Sequence, residues 1–554
     1  MSIDLGETAK PPKTAFFEAF TPKLISVFRE GYTLAFFKAD ALAGLTVAIV
    51  ALPLSMAIAI GSGAKPENGL FAAIIGGFVI SALGGSRYQI GGPAGAFIVV
   101  VAAAIERYSF DGFLLAALLS GLLLVVAGFA RLGSYIKYIP HPVVTGFTAG
   151  IAVIIFASQL RDLFGLSLAK EPAAFVPKLE ALWAAHSSIN PVATTLAASC
   201  ILLIVGLRAW RPKFPGLLAI VVLSGLATWE FGLPVETIGT RFGGIPSGLP
   251  WPTLPAINWD RIVEVSPAAF TFALLGSIES LLSAVVADGM TGRRHRPNAE
   301  LVAQGIGNVA SALFGGLCVT GTIARTATNV RAFAHGPVAG MLHALFLLAF
   351  MVIAAPLARY IPLAALAAVL TVVCWNMADK AEFAAILRHD RAEAVVLLAT
   401  FLLTLFRDLT EGITVGVILG SMLFMHRMAQ VAEVRAHAGE DDVPGAALPA
   451  ELAGVKDVLR LRIAGPFFFG SAGIVGSALD RIGGTPQAFV IDLGDVPFAD
   501  ATAAQTLELF VKRAKKNKAG VFLAAVNPKV REVLEQNGMG AGEVTYLGDA
   551  AGPR

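Results

Sequence analysis

Long apolar runs recur through most of this chain and restrict its fold more than any other feature. Most of them approach the length of about 20 residues with which a helix crosses the hydrocarbon core of a bilayer. No water is available there, so each crossing segment has to satisfy its own backbone hydrogen bonds, as a helix does. The sequence therefore predicts a polytopic α-helical membrane protein. The runs lie near 41–60, 69–84, 112–130, 141–160, 191–208, 214–232, 265–286, 299–314, 338–355, 361–378, 393–406 and 411–428.

The composition agrees with a protein that lies in the lipid bilayer and excludes a nucleic-acid-binding protein. The 554 residues are 56% hydrophobic and 15% charged, whereas soluble domains average about half apolar and a quarter charged. The net charge of +3 is small, and the basic residues are spread over the loops. No basic patch that would bind nucleic acid is therefore expected.

Sequence motifs for catalysis and for ATP-driven pumping are missing. The chain has no Gly-rich loop ending in Gly-Lys-Ser/Thr, no metalloprotease motif and no nucleophile–base pair. Its cysteines, Cys200, Cys318 and Cys374, lack paired or metal-ligand spacing. The glycines of 305–310 fit a loose dinucleotide pattern, but no strand precedes them, so they are interpreted as helix-packing residues. The prediction is that the protein is not an enzyme and uses neither a cofactor nor a metal.

Two shorter stretches, 93–105 and 318–330, are too short or too rich in glycine and threonine to cross alone. Counting them as half-spanning gives about fourteen transmembrane elements. Basic loop residues such as Arg87, Arg208 and Arg293 predominate on one side when the N-terminus is placed inside. The prediction is a multi-pass protein of the cell inner (plasma) membrane with both termini in the cytoplasm.

The chain also shows a weak internal repeat. Tyr-Ile-Pro opens an apolar segment at 138–140 and another at 360–362, seven elements later, and the two short stretches are seven elements apart as well. Seven is odd, so the second copy has to cross the membrane in the opposite direction. Inverted repeats with broken helices in matching positions indicate a secondary transporter whose site lies near the midplane. Chance recurrence of the tripeptide is the alternative, which the matching short stretches disfavour.

The composition changes after residue 430. We divide the chain into a cytoplasmic N-terminal segment (1–40), a transmembrane transporter domain (41–430), a charged stretch (431–452) and a soluble domain (453–554). The stretch 431–452 contains proline and glycine, and it is either a linker or the start of the soluble domain. Predicted strands alternate with predicted helices after it, which favours a small α/β domain.

Arg325 is the charged residue that most needs an explanation. It lies in an apolar region, just inside a half-helix predicted to start near Thr322. Buried charges in membranes are costly and usually mark a substrate or ion path. The other half-helix has the sequence Gly-Gly-Pro-Ala-Gly-Ala-Phe at 91–97, where Pro93 suits a first helical turn. Two facing helix N-termini with a nearby cation would form an anion site. The alternative is that Arg325 only ties its helix to a neighbour.

Glu279 is the second buried charge, and it lies at the centre of its apolar segment. Ser283, four residues later, shares its helix face. A low dielectric favours the protonated acid, which suits a proton carrier. Protonation would remove a repulsive charge beside the anion, so the proton and the anion would bind better together. A structural Glu279–Arg325 ion pair is the alternative. In the first segment, Pro53 interrupts the helix beside Ser55, which indicates either an ordinary kink or a residue that lines the site.

Five stretches resemble the SulP (sulfate permease) family of anion transporters and the STAS domain found in anti-sigma-factor antagonists. The resemblance extends from about residue 36 to residue 545. The first four stretches are ALPLSMAIAIGSGAKPENGLFAAIIGGF, LGGSRYQIGGPAGAF, GSIESLLSAVVAD and GTIARTATN. The fifth, VIDLGDVPFADATAAQTLELF, matches the strand–loop–helix core of STAS.

This resemblance implies a seven-plus-seven inverted-repeat fold of the uracil-permease type. A core domain would hold the substrate between two half-helices and move like an elevator against a gate domain. A homodimer is implied, with STAS in the cytoplasm facing an unknown partner. The implied substrate-binding residues are Ser55, Pro93, Ala94, Gly95, Ala96, Phe97, Glu279, Ser283, Ile323, Ala324 and Arg325.

The chain departs from the family pattern at two positions. Ala94 stands where many members carry threonine, and Ala324 stands where some carry serine, so two hydroxyls near the anion are absent. Sodium-coupled bicarbonate members resemble the chain at Glu279 and Ser283 but lack the arginine of the second half-helix. Arg325 therefore favours a proton over sodium as the coupling ion.

In the STAS part, Thr502 is either a candidate modification site or a hydroxyl that caps the start of a helix. Soluble relatives carry a phosphorylatable serine in the corresponding loop. The sequence does not identify the partner of this domain.

Together these features predict a secondary active anion transporter, with sulfate:H⁺ symport as the leading hypothesis. Bicarbonate and dicarboxylates are the alternative substrates. An uncoupled anion channel is disfavoured, since a carboxylate such as Glu279 in its path would not help an anion to pass. An alternative of another class is a membrane-anchored STAS signalling protein, with the membrane region as a sensor and no net anion flux.

Overall fold

The computed structural model describes residues 19–168, 172, 174–211, 216–407, 409–437, 457–482, 486–540 and 542–547. The chain divides into two compact units, Met1–Val417 and Ile418–Arg554. The division falls within the last apolar helix, Leu409–Gln430.

The first half of the membrane unit follows the predicted order of crossing segments. Ser109 has a φ of 65° and breaks the longest of these helices, so a short helix is followed by a full-length one, as the sequence predicted near 93–105 and 112–130. The helices are α1 (Lys23–Arg29), α2 (Leu34–Gly61), α3 (Pro66–Leu83), α4 (Gly95–Phe129), α5 (His141–Phe164), α6 (Phe175–Ala184), α7 (Pro191–Trp210), α8 (Gly216–Phe231) and α9 (Ile238–Phe242), and the strand β1 (Gly91–Gly92) precedes α4.

The second half repeats this order of long and short elements. Its short helix again follows a two-residue strand, β2 (Thr320–Gly321). Across the described residues, nine helical segments are long and apolar enough to cross a membrane. The helices of this half are α10 (Trp259–Thr291), α11 (Pro297–Leu313), α12 (Ile323–Arg331), α13 (Val338–Ala358), α14 (Leu363–Met377), α15 (Lys380–His389), α16 (Arg391–Phe406) and α17 (Leu409–Gln430).

Two features relate the halves to each other. The Tyr-Ile-Pro copies end at the starts of α5 and α14, where Pro140 and Pro362 are the N-cap residues. The strands β1 and β2 pair antiparallel, with Gly91 opposite Gly321. The predicted fold of two matching halves, each with one half-helix, is confirmed.

The glycines near 305 pack helices, as the sequence analysis proposed. A Cβ atom on Gly305 would lie 2.5 Å from the carbonyl oxygen of Gly121 on α4, and one on Gly121 would lie 2.6 Å from the carbonyl oxygen of Gly305. Small residues let helix backbones approach this closely in membranes, where van der Waals packing holds helices together. This crossing joins α4, which carries one half-helix, to α11.

Substitution of Gly305 with valine should destabilise the membrane unit. The added side chain has to push α4 and α11 apart, and overpacking of this kind costs about 1–3 kcal/mol. Thermal unfolding in detergent should show a lower Tm than for the unchanged protein. Ile306→Val is the matched control, because Ile306 is the next residue and is exposed. Equal Tm values for the two variants would contradict the close crossing.

The C-terminal unit is a five-stranded sheet in the order β3-β4-β5-β6-β7, antiparallel only between β3 and β4. Leu461, Ile491 and Leu507 are fully buried in its core. The strands are β3 (Glu433–His437), β4 (Val458–Ala464), β5 (Ala488–Asp495), β6 (Gly520–Ala524) and β7 (Thr545–Tyr546), and the helices are α18 (Phe469–Asp480), α19 (Ala501–Lys516) and α20 (Pro528–Gln536).

Strand β3 lies within the stretch 431–452, which the sequence left open as a linker or a domain start. Its five residues pair with β4, so this part belongs to the sheet. Of the strand residues whose side chains are described, Val434 packs against the apolar core, while Glu433 and Arg435 are exposed and form an ion pair. A strand with one packed apolar residue between charges leaves little periodic signal. Residues 438–452 lie outside the described part of the chain.

Candidate anion-binding site

The paired strands β1 and β2 bring the two half-helices together. Each strand is followed within three residues by a helix start, with Ala94 as the N-cap of α4 and Thr322 as the N-cap of α12. Pro93 therefore precedes the N-cap, whereas the sequence analysis placed it in the first helical turn. The antiparallel pairing of β1 with β2 brings the two helix starts close to each other, and Arg325 of α12 reaches Pro93 O just before α4.

The first amide groups of both short helices have no side-chain cap. Neither Ala94 nor Thr322 makes a capping hydrogen bond. The first backbone bonds run from Phe97 N to Ala94 O (3.1 Å) and from Thr326 N to Thr322 O (2.9 Å). The N–H groups ahead of these bonds, at Gly95 and Ala96 and at Ile323 and Ala324, have no acceptor within their helices. They carry the partial positive charge of the helix starts, which favours an anion.

Arg325 lies between the two half-helices and is only 1% exposed. Its Nη2 atom donates to Ser55 Oγ (3.1 Å) and to Pro93 O (3.1 Å). A Cβ atom on Gly92 would lie 1.8 Å from Nη1, so the guanidinium fills the space that any side chain at position 92 would need. Within the described residues, Nε and Nη1 have no hydrogen-bond partner. Arg325 thus joins both half-helices to α2 and keeps donors unused.

Ser55 is connected to the site rather than being only the neighbour of a proline kink. Pro53 lies inside α2, and the hydroxyl of Ser55 donates to Ala51 O (2.7 Å) while accepting from Arg325. The side chain is fully buried. Ser55 therefore contacts Arg325 as well as lying beside the proline, and its role in binding the anion stays a prediction.

Glu279 and Ser283 lie on α10, which crosses next to both half-helices. Ser283 Oγ donates to Thr326 Oγ1 (3.0 Å), and Gly276 O accepts from Thr320 Oγ1 (3.1 Å). Glu279 falls between these two contacts along the helix and is half-buried. Among the described residues, neither Glu279 nor Arg325 takes part in an ion pair. The structural ion pair considered as an alternative is thus not formed in this structure.

The remaining predicted residues line the same region. Ala94, Ala96 and Phe97 are buried, and the Phe97 ring centroid lies 6.2 Å from that of Phe272 on α10. Ile323 and Ala324 are exposed at the start of α12. Within the described residues, no group of His, Cys, Asp or Glu is arranged to hold a metal ion.

Helices of a second group cover the first half-helix from the other side. A Cβ atom on Gly95 would lie 3.4 Å from Ile155 Cδ1 on α5 and 3.9 Å from Met377 Sδ on α14. The site is therefore enclosed between one set of elements, α2, α4, α10 and α12, and a facing set that includes α5 and α14.

Sequence reasoning did not assign a polar network behind the half-helices. Gln89 Nε2 donates to Ser280 Oγ (2.9 Å) and to Glu300 Oε1 (2.8 Å). Glu300 is fully buried and also accepts from Gln304 Nε2 (3.1 Å) and Ser86 N (2.9 Å). In the sequence, the indication of this network is that Glu300 and Gln304 lie four residues apart in an apolar run, which places both polar side chains on the same face of a helix.

Thr326 connects three parts of the site. Its hydroxyl oxygen accepts from Ile90 N (3.2 Å), just before β1, and from Ser283 Oγ on α10. One threonine on α12 thus fixes the first half-helix and the crossing helix relative to the second half-helix. No periodicity in the sequence indicates this role.

Thr502 lies in the C-terminal unit, in the first turn of α19, and is exposed. The cap of this helix is Asp500, whose Oδ1 accepts from Ala503 N (2.9 Å) and whose Oδ2 accepts from Phe469 N (2.9 Å). The capping interpretation of Thr502 was therefore wrong, because the carboxylate two residues earlier fills the position. Its role as a modification site stays a prediction.

The models of two known protein families match this chain. Residues 37–400 match the model of the sulfate permease family, and residues 449–546 match the STAS domain. The chain belongs to the sulfate permease family. As a member of this family, it is an anion transporter with several membrane-crossing helices and a C-terminal STAS domain.

The sulfate permease family relatives include proteins named for two different anions. YvdB of Bacillus subtilis, named as a candidate sulfate transporter, is 37% identical over 92% of this chain and 95% of its own length. The bicarbonate transporter BicA of Synechocystis is 31% identical over 90% of each chain.

Solved structures show the same sulfate permease fold. The murine anion transporter Solute Carrier 26 family member A9, in its inward-facing state, superposes with a TM-score of 0.82 at 17% identity, over 97% of this chain and 93% of that one. The transmembrane domain of a cyanobacterial BicA superposes with a TM-score of 0.62 at 30% identity, over 70% of this chain and 98% of that one. The predicted fold class is confirmed.

Proposed function

We propose that this protein is a secondary active transporter that carries an inorganic anion together with a proton, with sulfate as the leading substrate. The observation that carries the proposal is the convergence of two uncapped helix starts on Arg325, with Glu279 on the crossing helix. The amide groups and the guanidinium supply fixed positive charge. Glu279 supplies the group that takes up the proton.

The coupling follows from electrostatics between the two sites. An ionised Glu279 repels an anion bound at the half-helices, and protonation removes this repulsion. By thermodynamic reciprocity, the anion then favours protonation by the same free energy. The anion and the proton would therefore bind together and cross together. Sodium coupling is the weaker hypothesis, because Arg325 already provides the positive charge that a sodium ion would bring.

Bicarbonate is the second candidate substrate, and two observations favour it. Relatives named as bicarbonate transporters align over most of the chain. Ala94 and Ala324 themselves provide no hydroxyl group for an anion at the two helix starts. Dicarboxylates are the third candidate, since a carboxylate would also suit a guanidinium and two helix starts.

Movement of the site would follow an elevator mechanism. The elements that form it, α2, α4, α10 and α12, would shift as one body against the facing helices α5 and α14. The contacts of Gly95 with Ile155 and Met377 are the apolar surface across which this movement would occur. We further propose a homodimer in the cell inner membrane, with both termini in the cytoplasm and the STAS domain available there to a partner that is still unidentified.

Uptake of labelled sulfate into proteoliposomes tests the proposal. Sulfate should accumulate when the outside is more acidic than the inside, and unlabelled sulfate should compete. Bicarbonate and fumarate serve as competitors of different shape, and protein-free liposomes serve as the blank. If only bicarbonate or fumarate competes with the label or enters the liposomes, sulfate is not the substrate. If no anion moves under any gradient, the transporter proposal fails and the membrane-anchored signalling protein becomes the better hypothesis.

A further inference from the structure

An apolar cavity of about 500 Å³ lies in the membrane unit, away from the anion site. We call it the lateral cavity. Its volume is in the range of sites that hold small organic ligands. Arg359 is the only charged residue among the described residues that line it, and none of them is acidic. The other lining residues used below are Pro53, Met56, Trp229, Phe350 and Tyr360.

The lateral cavity lies between two groups of helices. Helix α2 packs closely against α13, since a Cβ atom on Gly44 would lie 2.5 Å from Ala339 O. Helix α8 contacts the segment just before α14, since a Cβ atom on Gly225 would lie 3.8 Å from the Cα atom of Ile361. All four elements line the cavity. A molecule that fills it therefore touches the helix that carries Ser55 and also the entry to α14.

Several apolar residues that line the lateral cavity are also exposed at the surface of the membrane unit. They are Val222 and Leu226 of α8 and Leu357 of α13. In a bilayer, such side chains face acyl chains, which are as apolar as leucine. An acyl chain can therefore enter the cavity from the surrounding lipid without crossing a polar surface.

The length of the lateral cavity fits one leaflet of a bilayer. Along α13, its lining runs from Phe350 to Arg359. Nine residues of helix correspond to about 13 Å, and half of the hydrocarbon core of a bilayer is about 15 Å. On α2 the lining includes Pro53 and Met56, which lie in the same turn as Ser55. The cavity is thus long enough for much of one acyl chain.

The residues around Arg359 suit the head group of a lipid. Arg359 is exposed, and its guanidinium carbon lies 5.5 Å from the centroid of the Tyr360 ring. The Tyr360 ring centroid lies 6.3 Å from that of Trp229. Tryptophan and tyrosine are enriched where the membrane meets water. A guanidinium there can bind phosphate oxygens in a bidentate manner.

The acidic residues closest in sequence to these elements do not neutralise Arg359. Glu236 forms its ion pair with Arg241. Glu230 follows Trp229 on α8, but it is exposed and does not line the cavity. In the described part of the chain, no carboxylate lies within ion-pair distance of Arg359. The single charge on the described lining is therefore positive and available to a phosphate.

We propose that the lateral cavity binds an anionic glycerophospholipid, with its phosphate on Arg359 and one acyl chain reaching Pro53 and Met56. The proposal names a lipid site separate from the anion site and does not depend on which anion is transported. Because the acyl chain touches both groups of helices, binding stabilises the arrangement seen in this structure against their relative movement.

Fluorescence quenching by brominated lipids tests the site. Trp229 is kept as the only tryptophan, and the other five, which are all more exposed, are replaced with phenylalanine. The vesicles consist mainly of phosphatidylcholine, with a small share of either phosphatidylglycerol or phosphatidylcholine whose acyl chains carry bromine. Bromine quenches a nearby indole. Beside Trp229, phosphatidylglycerol should be enriched about fivefold over phosphatidylcholine, as expected for one basic residue.

A tryptophan elsewhere on the surface reports the bulk lipid. Leu203→Trp, as the only tryptophan, is the matched control, because Leu203 of α7 is about as exposed as Trp229 and does not line the cavity. It should show no enrichment of phosphatidylglycerol. Equal enrichment at Trp229 and at this control position would overturn the proposal.

Substitutions of Arg359 test the head-group contact. Arg359→Gln should abolish the preference for phosphatidylglycerol, whereas Arg359→Lys should retain most of it. Arg107→Gln is the control, because the guanidinium of Arg107 also lies over a neighbouring tyrosine ring but does not line the cavity. Quenching of Trp229 that is above the bulk level but equal for the two lipids would overturn the assignment of the phosphate to Arg359.

A substitution inside the lateral cavity tests the position of the acyl chain. Ala354→Phe fills the space, so the enrichment at Trp229 should fall to the bulk level. Ile353→Phe is the control, because Ile353 is the adjacent residue, is exposed and does not line the cavity. Phosphatidylglycerol retained after purification in detergent gives a second readout, and Ala354→Phe should lose it. Equal retention by the two folded variants would overturn the proposal.

Discussion

Gly92→Ala should abolish anion uptake although it leaves every charged group of the site in place. The added methyl carbon would lie 1.8 Å from Arg325 Nη1, so the guanidinium has to leave its position. It then loses its hydrogen bonds to Ser55 Oγ and Pro93 O. Hydrogen bonds to a charged group contribute about 1.5–3 kcal/mol each. Loss of even one would weaken a site that depends on this geometry by about ten- to hundredfold.

The measurement is initial uptake of labelled anion by proteoliposomes that contain equal amounts of folded protein. Gly206→Ala is the matched control, because Gly206 also lies in an apolar stretch of the membrane unit, in α7, but has open space where a Cβ atom would be. Size-exclusion profile and Tm show whether Gly92→Ala remains folded. Normal uptake by a folded Gly92→Ala variant would show that the position of Arg325 does not matter for transport.

Glu279→Gln should uncouple anion movement from the proton gradient. Glutamine resembles the protonated acid in shape and charge but cannot release a proton. The variant should therefore still exchange anion across the membrane, while a pH gradient no longer drives accumulation. With one proton per anion and the membrane potential held at zero, a gradient of one pH unit drives up to about tenfold accumulation by the unchanged protein. The variant should stay near equal concentrations on both sides.

The control for this experiment is Glu264→Gln. Glu264 is on the same helix, α10, but is exposed and far along the chain from the half-helix contacts. It should accumulate anion as the unchanged protein does. Gradient-driven accumulation by Glu279→Gln would remove Glu279 from the coupling mechanism, and Glu300, a fully buried carboxylate near the half-helices, would be the next residue to substitute.

The two predictions concern the two charged residues of the candidate anion site, Arg325 and Glu279. Arg325 is held by Ser55 and Pro93 and has no acidic partner in the described part of the chain, while Glu279 is half-buried on the neighbouring helix. Because the two charges are not paired, each can respond to a ligand separately. Under the proposed mechanism, this separation would let anion binding and proton binding be coupled through space and not through a permanent salt bridge.

Much of the fold could be predicted from periodicity and composition. Apolar runs of sufficient length must form helices in a bilayer, because an unsatisfied backbone group there costs several kcal/mol. The two stretches too short to cross had to be half-helices for the same reason, and each begins within a few residues of its predicted start. The repeated Tyr-Ile-Pro likewise gave the order of the two halves, since it opens α5 and α14.

The sequence by itself determined which residues carry charge in an apolar region, and therefore that Arg325 and Glu279 needed a functional explanation. Only the tertiary structure decided their partners. Arg325 contacts Ser55 and Pro93, each more than 200 positions away along the chain. Such contacts depend on how the two halves pack, through the pairing of β1 with β2, and no local pattern encodes them. The sequence shows that a charged side chain lies in an apolar segment, where burying it costs free energy. The tertiary contacts determine which hydrogen bonds offset that cost.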